Sequence, residues 1–180
     1  MSYELAILDW IQTHLRNPWM DRLMVWITSL GDNGWIWILA GIVLCLSKKY
    51  RKAGIWLLLS LELGSLTSNY ILKPLFMRPR PYEGLMLDLL IPVPGGYSFP
   101  SGHTTSSFAA AVALAMAGNP AGIPALILAA LIAFSRMYLY VHYPTDIIGG
   151  IVLGTVCSAA VGALLNSDLF FHTREERKRP

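Results

Sequence analysis

The sequence predicts an all-α integral membrane helical bundle, and three observations carry that prediction. Of 180 residues, 54% are hydrophobic and only 14% are charged, against about 25% charged in soluble chains. The charges are also segregated. Thr104 to Ser135 is a run of 32 residues without Asp, Glu, Lys or Arg, and Ile147 to Ser167 is another of 21. Finally, the basic residues gather in short segments between apolar runs, where membrane-flanking cations belong. A disordered chain is excluded by this composition, and the length suits one domain over residues 1–180. Cys45 and Cys157 both sit in apolar runs, which excludes a disulfide-stapled scaffold.

Residues 1–30 are amphipathic. Leu5, Leu8, Trp10, Ile11 and Leu15 alternate with Glu4, Asp9, Gln12, His14 and Arg16 at roughly helical spacing, Asn17-Pro18 interrupts, and the pattern resumes from Met20 to Ser29. This segment is expected to lie at the membrane interface, anchored by Trp10, Trp19 and Trp26. No basic start precedes a clean apolar stretch, so a secretory signal peptide is not expected. Five spans follow, over residues 31–167. A crossing takes about 20 apolar residues, and the runs place them at 31–47, 53–72, 103–118, 121–140 and 146–167. Gly31-Asp32-Asn33-Gly34 marks the first boundary, and Gly118-Asn119-Pro120 divides the 32-residue run into two helices. A sixth crossing would require residues 8–30 to span, with the N-terminus then cytoplasmic.

Orientation follows from the cations. The loop 48–52 and the tail 168–180 hold eight of the 14 Lys and Arg. Five spans put both on one side, and the positive-inside rule makes that side cytoplasmic. Residues 73–102 and 139–145 then face outward from a cell membrane. The net charge of +3 therefore marks orientation; these flanking positions form no basic face for a nucleic acid.

Most of the reactive chemistry collects on that outer side. Lys73, Arg78 and Arg80 lie within eight residues; Pro100-Ser101-Gly102-His103 directly precedes an apolar helix; Ser135-Arg136, His142 and Asp146 bridge the next two. Arg offers bidentate donors matched to phosphate oxygens. A helix starting at Ser101 presents free N–H groups to an anion, and Gly102 allows close approach. Either histidine can act as acid, base or nucleophile, and Asp146, four residues after His142, can fix its tautomer. The sum is an anion clamp with a nucleophile and a proton donor, which suits phosphoryl transfer. Each piece alone has an ordinary reading: a solvated loop, an N-cap, a C-terminal cation, a local His–Asp contact. Their order and common side carry the claim.

These motifs resemble those of the type 2 phosphatidic acid phosphatase family, which shares its active site with vanadium haloperoxidases and glucose-6-phosphatase. Six residues separate Lys73 from Arg80-Pro81, Pro100-Ser101-Gly102-His103 is intact, and Ser135-Arg136 is followed at the family spacing by His142 and Asp146. The resemblance implies that His142 attacks phosphorus to form a phosphohistidine, oriented by Asp146. It implies that His103 protonates the leaving group and then activates water. Lys73, Arg80 and Arg136, with Ser101 and the Gly102 amide, would bind the phosphoryl oxygens. Neither a cofactor nor a metal is implied, and three cations at one site would repel a divalent ion.

The partner expected is a lipid phosphate or diphosphate held in the bilayer, undecaprenyl diphosphate first and phosphatidylglycerophosphate or phosphatidic acid next. No obligate protein partner is expected. The alternative is a non-catalytic transporter or scaffold with an anion pocket, against which the two histidines and Asp146 argue. A vanadate-dependent oxidase is a third reading. Arg78 lies between the fixed motif positions as a candidate contact for a second phosphate or a headgroup, or faces solvent. Glu62, an ionisable group within a span and near one face with Ser65, Asn69 and Lys73, is either a functional group leading to that lysine or, as favoured, a buried, hydrogen-bonded carboxyl packing its helix into the bundle. The mixed apolar segment 82–99 either covers the site and guides a headgroup or is a passive connector, and its apolar content favours substrate contact. His14 and His172 receive no role.

Overall fold

Asn17 fixes the first corner of the chain. Its Oδ1 accepts from the amides of Trp19 (3.1 Å) and Met20 (3.0 Å), ending α1 (Tyr3–Leu15) and starting α2 (Pro18–Leu30) with Pro18 at the first helical position. The computed structural model describes residues 3–85 and 88–167, and among them the chain is helical with no strand. The tail expected over 168–180, with its cluster of cations, lies outside the described residues.

After α2, a 3-10 turn at Asp32–Gly34 leads into α3 (Trp35–Leu46). Asn33 (φ 50°) and Gly34 (φ 69°) are both left-handed there, conformations that Asn and Gly tolerate best. α2 and the stretch 32–46 are bent by 42° and together qualify as one broken span. This changes the expected placement of residues 1–30. Residues 18–30 and the stretch expected to span at 31–47 are the two arms of one bent pair, a broken span or a re-entrant loop by length and composition.

The next helix is longer than expected. α4 (Arg51–Leu66), a π-helical stretch (Thr67–Leu72) and α5 (Lys73–Phe76) run on as 26 residues in place of 53–72. α6 (Gly102–Met116), α7 (Gly122–Tyr138) and α8 (Pro144–Asn166) follow. The expectation of five clear spans is corrected in number. Two stretches, Arg51–Phe76 and α8, are long and apolar enough to cross, or three with the bent pair. α6 and α7 have only 15 and 17 residues, about 23 and 26 Å of rise against a hydrocarbon core of about 30 Å. The unbroken apolar run in the sequence includes the Gly118 turn (φ 66°), which gives no length to either helix.

α6 is the centre of the packing, against α4, α7 and α8. Ala109, Ala110, Ala111 and Ala113 are fully buried on it, and small residues on its neighbours let the backbones close in. A Cβ at Gly154 of α8 would stand 2.6 Å from Thr105 O and 2.7 Å from Ala109 N. Indole hydrogen bonds lock two further pairs: Trp37 Nε1 to Ser107 Oγ (3.0 Å) and Trp56 Nε1 to Ser158 O (2.8 Å). The expected anchors Trp10, Trp19 and Trp26 are all exposed, while Leu8 and Ile11 are buried.

At one end, Lys52 Nζ donates to Asn166 Oδ1 (2.6 Å), so the basic loop and the end of α8 share a side. At the other end α1 lies under the turn after α7. Tyr138 and Tyr140 donate hydroxyls to Asp21 and Asp9 (2.7 Å each), and Gln12 Nε2 donates to Tyr138 O (2.6 Å). That end holds the expected site residues.

Candidate active site

Lys73 stands where the π-helical stretch ends, and π-bulges recur at functional positions. Its Nζ donates to Asn69 Oδ1 (3.0 Å), and Asn69 Nδ2 donates to Ser65 Oγ (3.3 Å). Gly102 lies beside it, because a Cβ there would be 3.8 Å from that Nζ. Ser101 is the N-cap of α6, accepting from Thr104 N and from Thr104 Oγ1 (3.0 Å), and is fully buried. Its own N–H donates to Asp146 O (3.1 Å), which joins the start of α6 to the start of α8.

Arg80 is buried in the loop between α5 and α6. Its Nε and Nη2 donate to Gly96 O and Gly95 O, and Nη1 to Val141 O, each at 3.0 Å. Nη1 also lies 3.2 Å from His142 Nε2. A guanidinium can only donate, so Nε2 is the accepting nitrogen and Nδ1 carries the hydrogen. Nδ1 faces Asp146 Oδ2 and Ser98 Oγ, each at 3.4 Å. Burial lowers the His142 imidazole to about 3, the charges of Arg136 and Arg80 add to that, and Asp146 opposes them. The ring is therefore neutral, with a lone pair on Nε2.

Arg136 is buried on α7 and donates through Nη1 to Thr28 Oγ1 (2.6 Å). Its Nε–H has no hydrogen-bond partner among the described residues. A buried donor left unmade costs about 1–3 kcal/mol, more in a charged group, so this corner of the site is organised for an acceptor. Ser135 turns its hydroxyl back to Ile132 O (2.6 Å). Lys73, Arg80 and Arg136 lie within electrostatic reach of one another. His103 at the start of α6 and Arg136 line a cavity of about 410 Å³ with Thr28, Asp32, Ile91 and Val93.

Arg78 has another setting from those expected. Its guanidinium donates to Asp146 Oδ1 (2.6 Å), Thr145 Oγ1 (2.6 Å) and Glu4 Oε2 (2.5 Å), over the Tyr143 ring at 4.0 Å. Two carboxylates of the protein already satisfy this cation, and a substrate contact is not what the geometry gives it. Glu62 is also corrected. It is exposed toward a second cavity, of about 350 Å³, that Ser65, Asn69, Ser106 and His103 share; α3 and α6 leave that gap beside α4. In the 82–99 segment, Ile91, Pro92, Val93 and Pro94 do line the His103–Arg136 cavity, and Tyr82 OH pins this stretch of chain at Pro94 O (2.8 Å). Met86 and Leu87 lie outside the described residues.

Three residues were not legible as site residues. Ser98, fully buried, donates a short hydrogen bond to Asp146 Oδ2; a lone Ser before Pro100 has no charge or period to mark it. Asp32 lies 2.9 Å from His103 Nε2, having been read only as a helix breaker. Glu4 caps α8 through Thr145 N (3.1 Å) and holds Arg78. The Arg78 and Thr145 bonds outweigh the effect of burial and hold its carboxyl below the usual range. Among the described residues no three His, Cys, Asp or Glu side chains come together as metal ligands.

Residues 53–168 match the PAP2 superfamily. The chain is 31% identical over 157 residues to the Bacillus subtilis undecaprenyl-diphosphatase BcrC, covering 87% of this chain and 80% of that one. Among solved structures it is similar to Aquifex aeolicus LpxE, with a TM-score of 0.74 at 26% identity over 89% of this chain and 95% of the other. It is also similar to a transmembrane PAP2-type phosphatidylglycerolphosphate phosphatase of Bacillus subtilis, with a TM-score of 0.70 at 27% identity over 88% and 82%. With Arg80 and Arg136 buried beside His142, Lys73 half-buried at the same end, and a match across most of the bundle, the chain belongs to the PAP2 superfamily and is a phosphatase that hydrolyses phosphoric esters.

Proposed function

We propose that this chain removes the terminal phosphate of a membrane lipid phosphate or diphosphate through a phosphohistidine on His142. The observation that carries the reading is the His142 Nε2 lone pair held against Arg80 at 3.2 Å, beside the unpartnered Nε–H of Arg136. An anion clamp needs only the cations; a neutral, tautomerically fixed imidazole among them serves attack on phosphorus. Lys73, Arg80 and Arg136 draw the phosphoryl oxygens in, with Ser101 and the Gly102 amide at the α6 N-terminus. The substrate displaces the Arg80 N–H from Nε2, and an N–P bond forms as the P–O bond breaks. His103 gives a proton to the leaving oxygen, then takes one from the water that cleaves the N–P bond. Asp146, bonded by Ser98, Arg78 and the Tyr143 amide, holds the imidazolium-like nitrogen. No metal enters these steps.

Undecaprenyl diphosphate is the substrate we favour, with phosphatidylglycerophosphate and phosphatidic acid next. The named activity of the BcrC relative supports the first, and that of the Bacillus subtilis phosphatidylglycerolphosphate phosphatase supports the next. The chain is a multi-pass protein of the cell membrane in this reading, one domain over 1–180. Its site lies at the outer face and its basic loop and tail are cytoplasmic, as the positive-inside rule requires.

Phosphate release from a panel of these lipids in detergent tests the reading, with His142→Ala beside the wild type and EDTA in a parallel set. Release only by the wild type, persisting in EDTA, is expected. Equal release by both proteins refutes the phosphohistidine. Binding of lipid phosphate with no release by either protein makes the chain a carrier of anions.

A further inference from the structure

The Gly31-Asp32-Asn33-Gly34 turn is built against His103. At Gly31 a Cβ would stand 2.8 Å from His103 Cδ2 and 3.0 Å from Ile132 Cγ2, so only glycine leaves the imidazole its place. The next residue, Asp32, sets Oδ1 at 2.9 Å from His103 Nε2. Asn33 and Gly34 then turn the chain through two left-handed residues into α3, and the 42° bend between α2 and α3 falls here. Two independent features of one turn, the missing side chain and the carboxylate, converge on the same ring.

We propose that Asp32 is the positioning residue of His103, giving the site a second carboxylate–imidazole pair beside Asp146 and His142. The proposal rests on the reading of His103 as the proton donor. A carboxylate accepts, so Nε2 carries a hydrogen and Nδ1 is the nitrogen left to exchange protons. Nδ1 has no hydrogen-bond partner among the described residues. In the first half-reaction Nδ1–H passes its proton to the leaving oxygen, which takes the electron pair of the broken P–O bond. In the second, Nδ1 takes a proton from water as the O–P bond forms and the His142 N–P bond breaks. The Asp32 bond keeps the ring in the tautomer that each half needs, and its charge favours the protonated ring that the first half consumes. The other charged groups around His103 are Arg136 on α7 and Arg80 in the loop, with Glu62 of α4 across the second cavity. Burial and both arginines disfavour a protonated ring and together lower it, and Asp32 is the carboxylate in contact that opposes them.

Asp32→Asn, Asp32→Glu and His142→Ala, made in the full chain and assayed in detergent, test this. kcat/KM, which reports phosphoryl transfer to the enzyme, is measured against pH for a lipid monophosphate and for the diphosphate of the same lipid. The monophosphate releases an alkoxide that must be protonated; the diphosphate releases a phosphate that depends on that proton less. Asp32→Asn is expected to lower kcat/KM on the monophosphate by about 10-fold or more and on the diphosphate by much less. The alkaline limb of its profile moves to lower pH, and Asp32→Glu restores part of both. On a substrate panel where only the diphosphate turns over, the shift of the limb alone carries the result. An equal loss at every pH and on both esters, or no loss, overturns the proposal. Activity surviving in His142→Ala instead overturns the phosphohistidine reading on which it rests.

Discussion

Arg80 Nη1 meets His142 Nε2 at 3.2 Å and donates to Val141 O, while Nη2 and Nε hold the carbonyls of Gly95 and Gly96. One cation thus joins the loop over the site, the turn after α7 and the lone pair of the proposed nucleophile. Positive charge at that point lowers the proton affinity of Nε2 and attracts the phosphoryl oxygens to the same spot. In the proposed function the nucleophile and the anion site are one object.

Arg80→Lys is accordingly expected to be a severe change despite keeping the charge. A lysine has no planar fork and cannot reach three carbonyls and a ring nitrogen together. Each lost charged hydrogen bond is worth about 1.5–3 kcal/mol, so kcat/KM should fall by about 100-fold or more, with a lowered melting midpoint. A lysine variant within about 3-fold of wild type would mean that Arg80 contributes charge alone.

Glu4 and Arg78 form a clamp between α1 and the start of α8. Glu4→Ala releases partly exposed bonds and should cost about 1 kcal/mol. Arg78→Ala should cost about 3–5 kcal/mol, because it leaves the fully buried Asp146 carboxylate without its cation. A double-mutant cycle on melting midpoints checks the coupling: the double variant should lose less than the sum of the two, since Glu4 acts in part through Arg78. Additive losses would separate the two residues.

Ser98→Ala removes the hydroxyl shared by Asp146 Oδ2 and the His142 imidazole edge without touching any phosphate ligand. The prediction is a fall in kcat of about 10-fold with KM nearly unchanged, from an acceptor left buried and a ring less firmly held. A rise in KM alone would put Ser98 with the substrate.

What the sequence made legible follows from which physics is local. Charge scarcity marks apolar helices, and the three motifs are contiguous enough that spacing alone groups Lys73, Arg80, Ser101, Gly102, His103, Arg136, His142 and Asp146; the structure brings these to one end of the bundle. Span counting failed where length depends on turns: the Gly118 turn takes residues from α6 and α7, and the 31–34 turn joins α2 to α3. Arg78, Asp32, Glu4 and Ser98 were misjudged for a different reason. Each works through a partner far along the chain, Arg78 through Glu4 and Asp146, Asp32 through His103, and no local pattern announces a contact across 70 residues.

Gly154→Ala tests the close contact of α6 and α8. The added Cβ would meet backbone atoms at 2.6 and 2.7 Å, which no rotamer change relieves, so α8 must move away from α6. Overpacking of this kind costs about 1–3 kcal/mol, and the shift also moves Asp146, at the start of α8. Loss of stability and of activity together are expected in melting and phosphate-release measurements. Gly118→Ala, in open space on the turn, should leave activity intact and lose only the stability that its left-handed backbone costs.

Stability should rise with pH across the weakly acid range, and His142 supplies part of the slope. Its imidazole is held at about 3 in the folded protein, against about 6.5 in an unfolded chain. Between those values the unfolded state binds a proton that the folded state refuses, so the unfolding free energy increases with pH. The contribution is complete above about 6.5 and is lost as pH falls toward 3, with a limiting slope for one group of about 1.4 kcal/mol per pH unit. The lowered Glu4 carboxyl acts with the same sign at lower pH. Melting midpoints in detergent at pH 7, 6 and 5 should fall in that order for the wild type and fall less steeply for His142→Asn, which keeps a polar side chain but has nothing to protonate. Parallel slopes for the two proteins would show that the imidazole titrates normally, and with it that Nε2 is not the shielded lone pair on which the proposed attack depends.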